Sequence, residues 1–191
     1  ACAPFRRLHL CDYNLESIQT NNYNSSNAKH KLLAEVCMAA YYEGDSIKTP
    51  YPKHEQTNQG TASQLCTVLA RSFADIGDIV RGRDLYGGNN KEKNRRDELE
   101  KNLKKIFGNI YDKLLEDNKT NGQALQTRYN GDKDPNFFQL REDWWNANRQ
   151  QVWKAITCKA KEADKYFRNT CNGGEQTKGY CRCNGDQPKC R

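Results

Sequence analysis

The stretch that decides the fold is residues 140–158, LREDWWNANRQQVWKAITC, which holds all three tryptophans of the chain, Trp144, Trp145 and Trp153. It contains no glycine or proline. Trp145, Val152 and Ile156 fall on one helical stripe with Asn148 between them, so the spacing predicts an amphipathic helix. Trp144 and Trp145 are adjacent and point about 100° apart on such a helix. At most one of them can sit at the centre of a given buried stripe. Packing in the core is the expected role of these rings, because aromatics dominate buried area. The pattern carries on past Cys158 without a break and predicts a helix, kinked on the way, to about Arg168.

Working outward, residues 70–86, ARSFADIGDIVRGRDLY, place Phe73, Ile76, Ile79 and Val80 on another helical face, with Gly82 as the stop. Ser63 is the expected N-cap of this helix. Upstream, Leu32, Leu33, Val36, Cys37 and Ala40 share a face of a helix predicted over residues 28–43, ended by Gly44. Leu99, Leu103, Ile106, Ile110 and Leu114 step by four, three, four and four and predict a helix over 92–117. Asp97 with Lys101, and Glu100 with Lys104, are acid-first i,i+4 pairs on it. Residues 21–27, NNYNSSN, residues 49–61 with Pro50 and Pro52, the break at Gly87-Gly88-Asn89-Asn90, and residues 118–135 read as polar connections. No convincing period-two strand occurs. The fold class expected is all-α, a disulfide-tied bundle of long antiparallel helices.

The composition fits this reading. Of 191 residues only 36% are hydrophobic, yet nine are cysteines. Mean hydropathy is −1.07. A small core under large solvated faces, with many cysteines, points to disulfide reinforcement in an oxidising compartment. Zinc is the competing use of the CRC at 181–183. No CxxC pair accompanies it, and His9, His30 and His54 lie far upstream, so no metal centre is expected. Nothing approaches the ~20 apolar residues needed to cross a bilayer, and no signal-peptide pattern opens the chain. The expectation is an excised piece of a larger extracellular protein. Asn24 and Asn118 begin N-glycosylation sequons.

The wording of the blocks, beyond their periodicity, carries a resemblance. Residues 2–16 (CAPFRRLHLCDYNLE), 32–47 (LLAEVCMAAYYEGDSI), 63–88 (SQLCTVLARSFADIGDIVRGRDLYGG), 102–114 (NLKKIFGNIYDKL), the tryptophan segment, YFRNTC at 166–171 and CRC at 181–183 resemble, in order, the Duffy-binding-like alpha domain. That domain belongs to the erythrocyte membrane protein variant antigens of the malaria parasite Plasmodium falciparum. The resemblance implies a partial domain: residues 1–28 as the end of subdomain one, 29–174 as the helical subdomain two, and 175–191 as the start of subdomain three. It implies disulfides Cys66–Cys171 and Cys37–Cys158. Cys2 and Cys11, whose family partners would lie upstream, are left unpaired or joined to each other, and Cys181, Cys183 and Cys190 are left stranded at the other edge.

The same resemblance implies an adhesion module on the infected red cell. Its expected partners are red-cell or endothelial receptors, heparan sulfate or blood-group glycans, host antibodies, and neighbouring domains of the same polypeptide. The alternative is a structural spacer and immune target beside a cysteine-rich region that binds the receptor. Neither a cofactor nor nucleic acid nor membrane insertion is expected. No GxSxG elbow, Walker A loop, HExxH or Rossmann fingerprint is present, so no enzyme is expected. Asp75, Asp78 and Asp84 beside Arg71, Arg81 and Arg83 read as helix-surface pairs and turn hydrogen bonds.

Formal net charge is +7, and its surplus lies mostly after Thr120, where thirteen basic side chains meet eight acidic ones. A basic surface suits polyanions such as sulfated glycans. Two ridges are the binding candidates. Lys154, Lys161 and Lys165 are spaced by seven and four and would share one face of the extended helix. Lys93, Arg96 and Lys104 form a second ridge, diluted by intervening acids.

Overall fold

A computed structural model describes residues 10–11, 13–57, 64–84, 89–129 and 134–190, with the side chains of 54 and 55 outside the description. The readings made for Cys2, His9, Ser63, Gly87 and Gly88 fall outside these residues. The helices are α1 (Tyr13–Glu16), α2 (Ala28–Lys48), α3 (Tyr51–Thr57), α4 (Leu65–Arg81), α5 (Asn90–Asp117), α6 (Gly122–Tyr129) and α7 (Phe138–Ile156), with short 3-10 turns at Thr20–Asn22 and Lys119–Asn121. Among the described residues no strand forms, only isolated bridges at Cys171 with Glu175 and Gly179 with Arg182. The fold is all-α, as expected.

The tryptophan helix α7 is the centre of the packing, against α2 and α4 chiefly and against α5 and α6 at its margins. Both adjacent tryptophans are buried, because the helix is walled on two sides. The Trp145 ring lies 5.0 Å from Phe73 of α4, and Trp144 meets Phe107 of α5 edge-on at 6.1 Å. Gly77 of α4 makes room for the Trp145 indole: a Cβ there would stand 2.7 Å from its Cζ2. Phe138 and Arg141 of α7 pack at Gly82, Trp145 at Gly77 and Trp153 at Phe73. The order is reversed along the two helices, so α4 and α7 run antiparallel.

Two boundaries match the sequence reading. Gly82 adopts φ 71° and ends α4. Its N–H and that of Arg83 return to the carbonyls of Ile79 and Asp78, a Schellman closure that leaves the last turn satisfied. Asn89 caps α5 in a reciprocal box with Glu92. Leu99, Leu103, Ile106 and Ile110 are buried as the periodicity requires, together with Phe107.

Others are corrected. Gly44 does not end α2, which runs on to Lys48. A Cβ at Gly44 would stand 2.0 Å from the Ile156 carbonyl oxygen, so the missing side chain lets the backbones of α2 and α7 touch. Gly44→Ala should therefore destabilise, although alanine alone would favour the helix by about 1 kcal/mol. Overpacking against backbone typically costs about 1–3 kcal/mol or more and should win. A thermal melt showing the variant as stable as the parent would refute the close approach. Residues read as loops fold into α3 and α6, short helices of mainly polar composition. Lys101 turns to Glu98 at 3.8 Å, not to Asp97, and Glu100 turns to Arg141, not to Lys104.

The tryptophan helix stops at Ile156 rather than continuing to Arg168. Residues 157–190 form an irregular segment held by long-range bonds. Thr157 Oγ1 donates to the Trp153 carbonyl and accepts from Arg182 Nε. Asp164 is buried; its carboxylate accepts from Lys48 Nζ at 3.1 Å and from the Lys161 N–H at 2.7 Å.

The disulfides also differ from those the resemblance implied. Cys66 joins Cys181, Cys158 joins Cys190, and Cys171 joins Cys183. Cys66 does not reach Cys171, because the nearer bridge to Cys183 takes that sulfur. Cys37 does not reach Cys158. It is half-buried on α2 without a disulfide partner among the described residues, and burial pushes its thiol up to about 11. Both cysteines of the CRC are thus disulfide sulfurs, which removes them as zinc ligands.

Candidate functional site: a basic groove beside the tryptophan helix

The two predicted ridges fare differently. Lys154 is exposed in the last turn of α7, but Lys161 and Lys165 lie beyond the helix end, in the irregular segment. The helical spacing that would align the three does not exist. Lys93, Arg96 and Lys104 do come together, lining a cleft of about 440 Å³ between α5, the end of α4 and the start of α7. The same cleft is lined by Asp84, Asp97 and Glu100, so its formal charges cancel. Arg96 is bonded to Asp84. Glu100 holds Arg141, a fully buried guanidinium stacked 5.4 Å from Phe107 and 5.8 Å from Phe138. These are structural pairs; a buried arginine needs such partners.

A larger groove of about 840 Å³ lies further along α7, against Trp145 to Lys154. Its first wall is α4, where Ala70 and Ala74 are small enough to leave space and Phe73 stands between them. Its second wall is the outer face of α7: Asn146, Arg149, Gln150, Trp153 and Lys154, spaced three, one, three and one. The third wall is the chain from Thr170 to Asn184, carried there by the disulfides of Cys181 and Cys171. The Trp153 indole N–H donates to the Cys181 carbonyl at 3.0 Å and fastens the second wall to the third. Phe73 meets Trp153 edge-on at 5.2 Å and continues to Trp145, so an aromatic row underlies the groove.

The charged residues lining this groove are Arg81, Arg149, Lys154 and Arg182, and none is acidic. Arg81 is shared with carboxylates outside the lining: Asp78 at 2.6 Å and Glu142 at 3.6 Å. Glu142 also accepts from Arg83 at 2.7 Å, so within the arginine–aspartate cluster Arg81 pairs with Asp78, while Arg83 and Asp84 take Glu142 and Arg96 from outside it. Arg149 and Lys154 are exposed and make no ion pair among the described residues. Arg182 is 7% exposed. Its guanidinium donates to neutral oxygens: Thr157 Oγ1 at 3.1 Å, the Lys154 carbonyl at 2.9 Å and the Asp186 carbonyl at 3.3 Å. Burial pulls its pKa down, and the nearby Asp186 charge offsets this in part. Tyr180 and Cys181, just before it, hold left-handed φ of 53° and 55°. Such conformations persist in non-glycine residues where the surroundings over-determine them; here a disulfide and the Trp153 bond do so.

The family model of the Duffy binding domain matches residues 1–190. The chain belongs to this family. Among relatives of this Duffy binding domain is the Duffy receptor gamma form of Plasmodium knowlesi, 23% identical over 185 residues, 93% of this chain and 14% of that protein. Another is the Duffy receptor of Plasmodium vivax (strain Salvador I), 26% identical over 167 residues, 84% of this chain and 12% of that protein. The domain therefore spans about an eighth of the length of such relatives.

The buried stripe dominates the sequence signal of the tryptophan helix, and its outward face carries the groove residues. The signal was present: Asn146, Arg149, Gln150, Trp153 and Lys154 repeat at i, i+3, i+4, i+7 and i+8, with two cations and no acid. Arg182 had no local signal, since its position depends on the pairing of Cys66 with Cys181.

Proposed function

We propose that this domain is an extracellular adhesion module of a larger parasite protein on the infected red-cell surface. It binds host-cell receptors through sulfated or otherwise anionic glycans, and so serves cell attachment such as rosetting. The observation that carries this reading is the acid-free groove beside α7, within a family whose relatives are named Duffy receptors. A concave site lined by cations and aromatic rings suits an anionic sugar chain. No helix among the described residues is long and apolar enough to cross a membrane. In this reading, anchorage and any further receptor contacts belong to neighbouring domains, and residues 1–28 and 175–191 are the edges of adjoining subdomains. Host antibodies are the other partner of such an exposed surface.

The test is retention of the domain on a heparin column, with red-cell binding measured in parallel, across salt concentrations. The expected result is retention that falls as salt rises, because exposed charges are screened within about 10 Å at 0.1 M. No retention and no cell binding at low salt would leave the spacer and immune-target role as the better account.

A further inference from the structure

Resting on the adhesion reading, we infer that the groove between α4, α7 and residues 170–184 is the ligand site. A sulfated oligosaccharide places one anionic group against Arg182 and further ones against Arg149 and Lys154, with a sugar face over the aromatic row. Three observations converge on this. First, the charged residues of the lining are all cations, whereas the cleft at the start of α7 balances each cation with an acid. A polyanion is attracted to the first and gains little at the second.

Second, Arg182 is a buried cation whose hydrogen bonds all end on neutral oxygens, and it forms no ion pair among the described residues. The Asp186 contact is through its carbonyl; its carboxylate is tied to the Asn184 amide. Buried charges are ordinarily paired. The Asp186 charge lies nearby but its carboxylate does not bond the guanidinium, so an anion seated in the groove supplies a direct counter-charge. Third, the groove is amphipathic in the way sugars require. Phe73 and Trp153 are half-buried and give an apolar surface. Asn146, Gln150 and Asn172 stand exposed at its rim as amide donors and acceptors. Its volume of about 840 Å³ accepts several linked rings, in the upper range of ligand sites.

The test measures binding of a fully sulfated heparin tetrasaccharide and of its desulfated form to the whole domain. Two double variants are compared with the parent: Arg149→Glu with Lys154→Glu in the groove, and Lys93→Glu with Lys104→Glu in the cleft at the start of α7. Melting temperature and circular dichroism verify that both variants fold. The expected result is at least a tenfold loss of affinity in the groove variant, with a flatter dependence on salt, as fewer counterions are released. The cleft variant should bind within about twofold of the parent, and the desulfated sugar should bind weakly to all three. A conservative Arg182→Lys should bind weakly while retaining the fold, since a single ammonium cannot keep the three neutral contacts and still face an anion.

Unchanged affinity in the groove variant, beside a parent that binds, would overturn the site while leaving the adhesion reading intact. A parent that binds neither sugar nor red cells would overturn both. Red-cell binding that is lost in the groove variant, with a parent that ignores the sulfated tetrasaccharide, would overturn the glycan and point instead to an acidic protein segment in the same groove.

Discussion

Trp145→Ala is expected to lower the stability of the domain by about 3–5 kcal/mol, the usual loss for a fully packed aromatic cut to alanine. The ring is 4% exposed. It fills the space that Gly77 leaves on α4 and lies 5.0 Å from Phe73. The guanidinium of Arg81 lies 5.9 Å from it, within reach of a cation–π contact. The melting temperature should fall by about 10 °C or more for a chain of this length. Trp145 also borders the groove, so weaker ligand binding alone does not separate the two roles. A variant with the parent's melting temperature and no cell binding would make Trp145 a contact residue and refute its structural role.

The second large effect belongs to the bridge between Cys66 and Cys181. It closes a span of 115 residues, and its removal by paired serine substitution should cost about 4–5 kcal/mol in the chain-entropy model. Serine at both Cys171 and Cys183, which span 12 residues, should cost about 3 kcal/mol or less by the same argument. The two pairs also differ in what they release. The long bridge ties the third wall of the groove to the start of α4, so its loss should weaken sugar binding even where helicity persists. Non-reducing peptide mapping checks the premise directly: Cys66 should be recovered with Cys181 and Cys171 with Cys183. A Cys66–Cys171 peptide would restore the pairing that the family resemblance implied and remove the basis for the groove's third wall.

These cysteines show where the sequence was readable and where it was not. Local rules carried the helical body. The stripe Trp145, Asn148, Val152 and Ile156 is buried as its spacing demands, and Gly82 closes α4 with the backbone conformation that favours glycine. Gly44 obeys no local rule. Its letter predicts a helix stop, yet its role is set by the backbone of Ile156 over a hundred positions away. The end of α7 is of the same kind. Nothing in the letters after Ile156 breaks a helix, but Arg182 and Cys190 arrive from later in the chain and fix Thr157 and Cys158 in another shape, while Asp164 takes the Lys161 N–H.

The candidate site followed the same division. Lys154 was found, because its charge and exposure are local properties. Its grouping with Lys161 and Lys165 failed when the helix proved shorter. The grouping of Lys93, Arg96 and Lys104 held in space, but Asp84, which takes Arg96, comes from the turn after α4. Charge on a ridge is legible in a sequence; cancellation across a cleft needs the fold.

The two faces of α7 separate heritable tasks. One face commits Trp145, Val152 and Ile156 to holding the helices together, while Arg149, Gln150 and Lys154 stand in water. Substitutions at exposed positions of this sort usually change stability by no more than about 0.5 kcal/mol. The outer letters of this helix can therefore be rewritten one at a time. Each intermediate still folds, so under the adhesion role proposed above the binding face can change without passing through a broken protein.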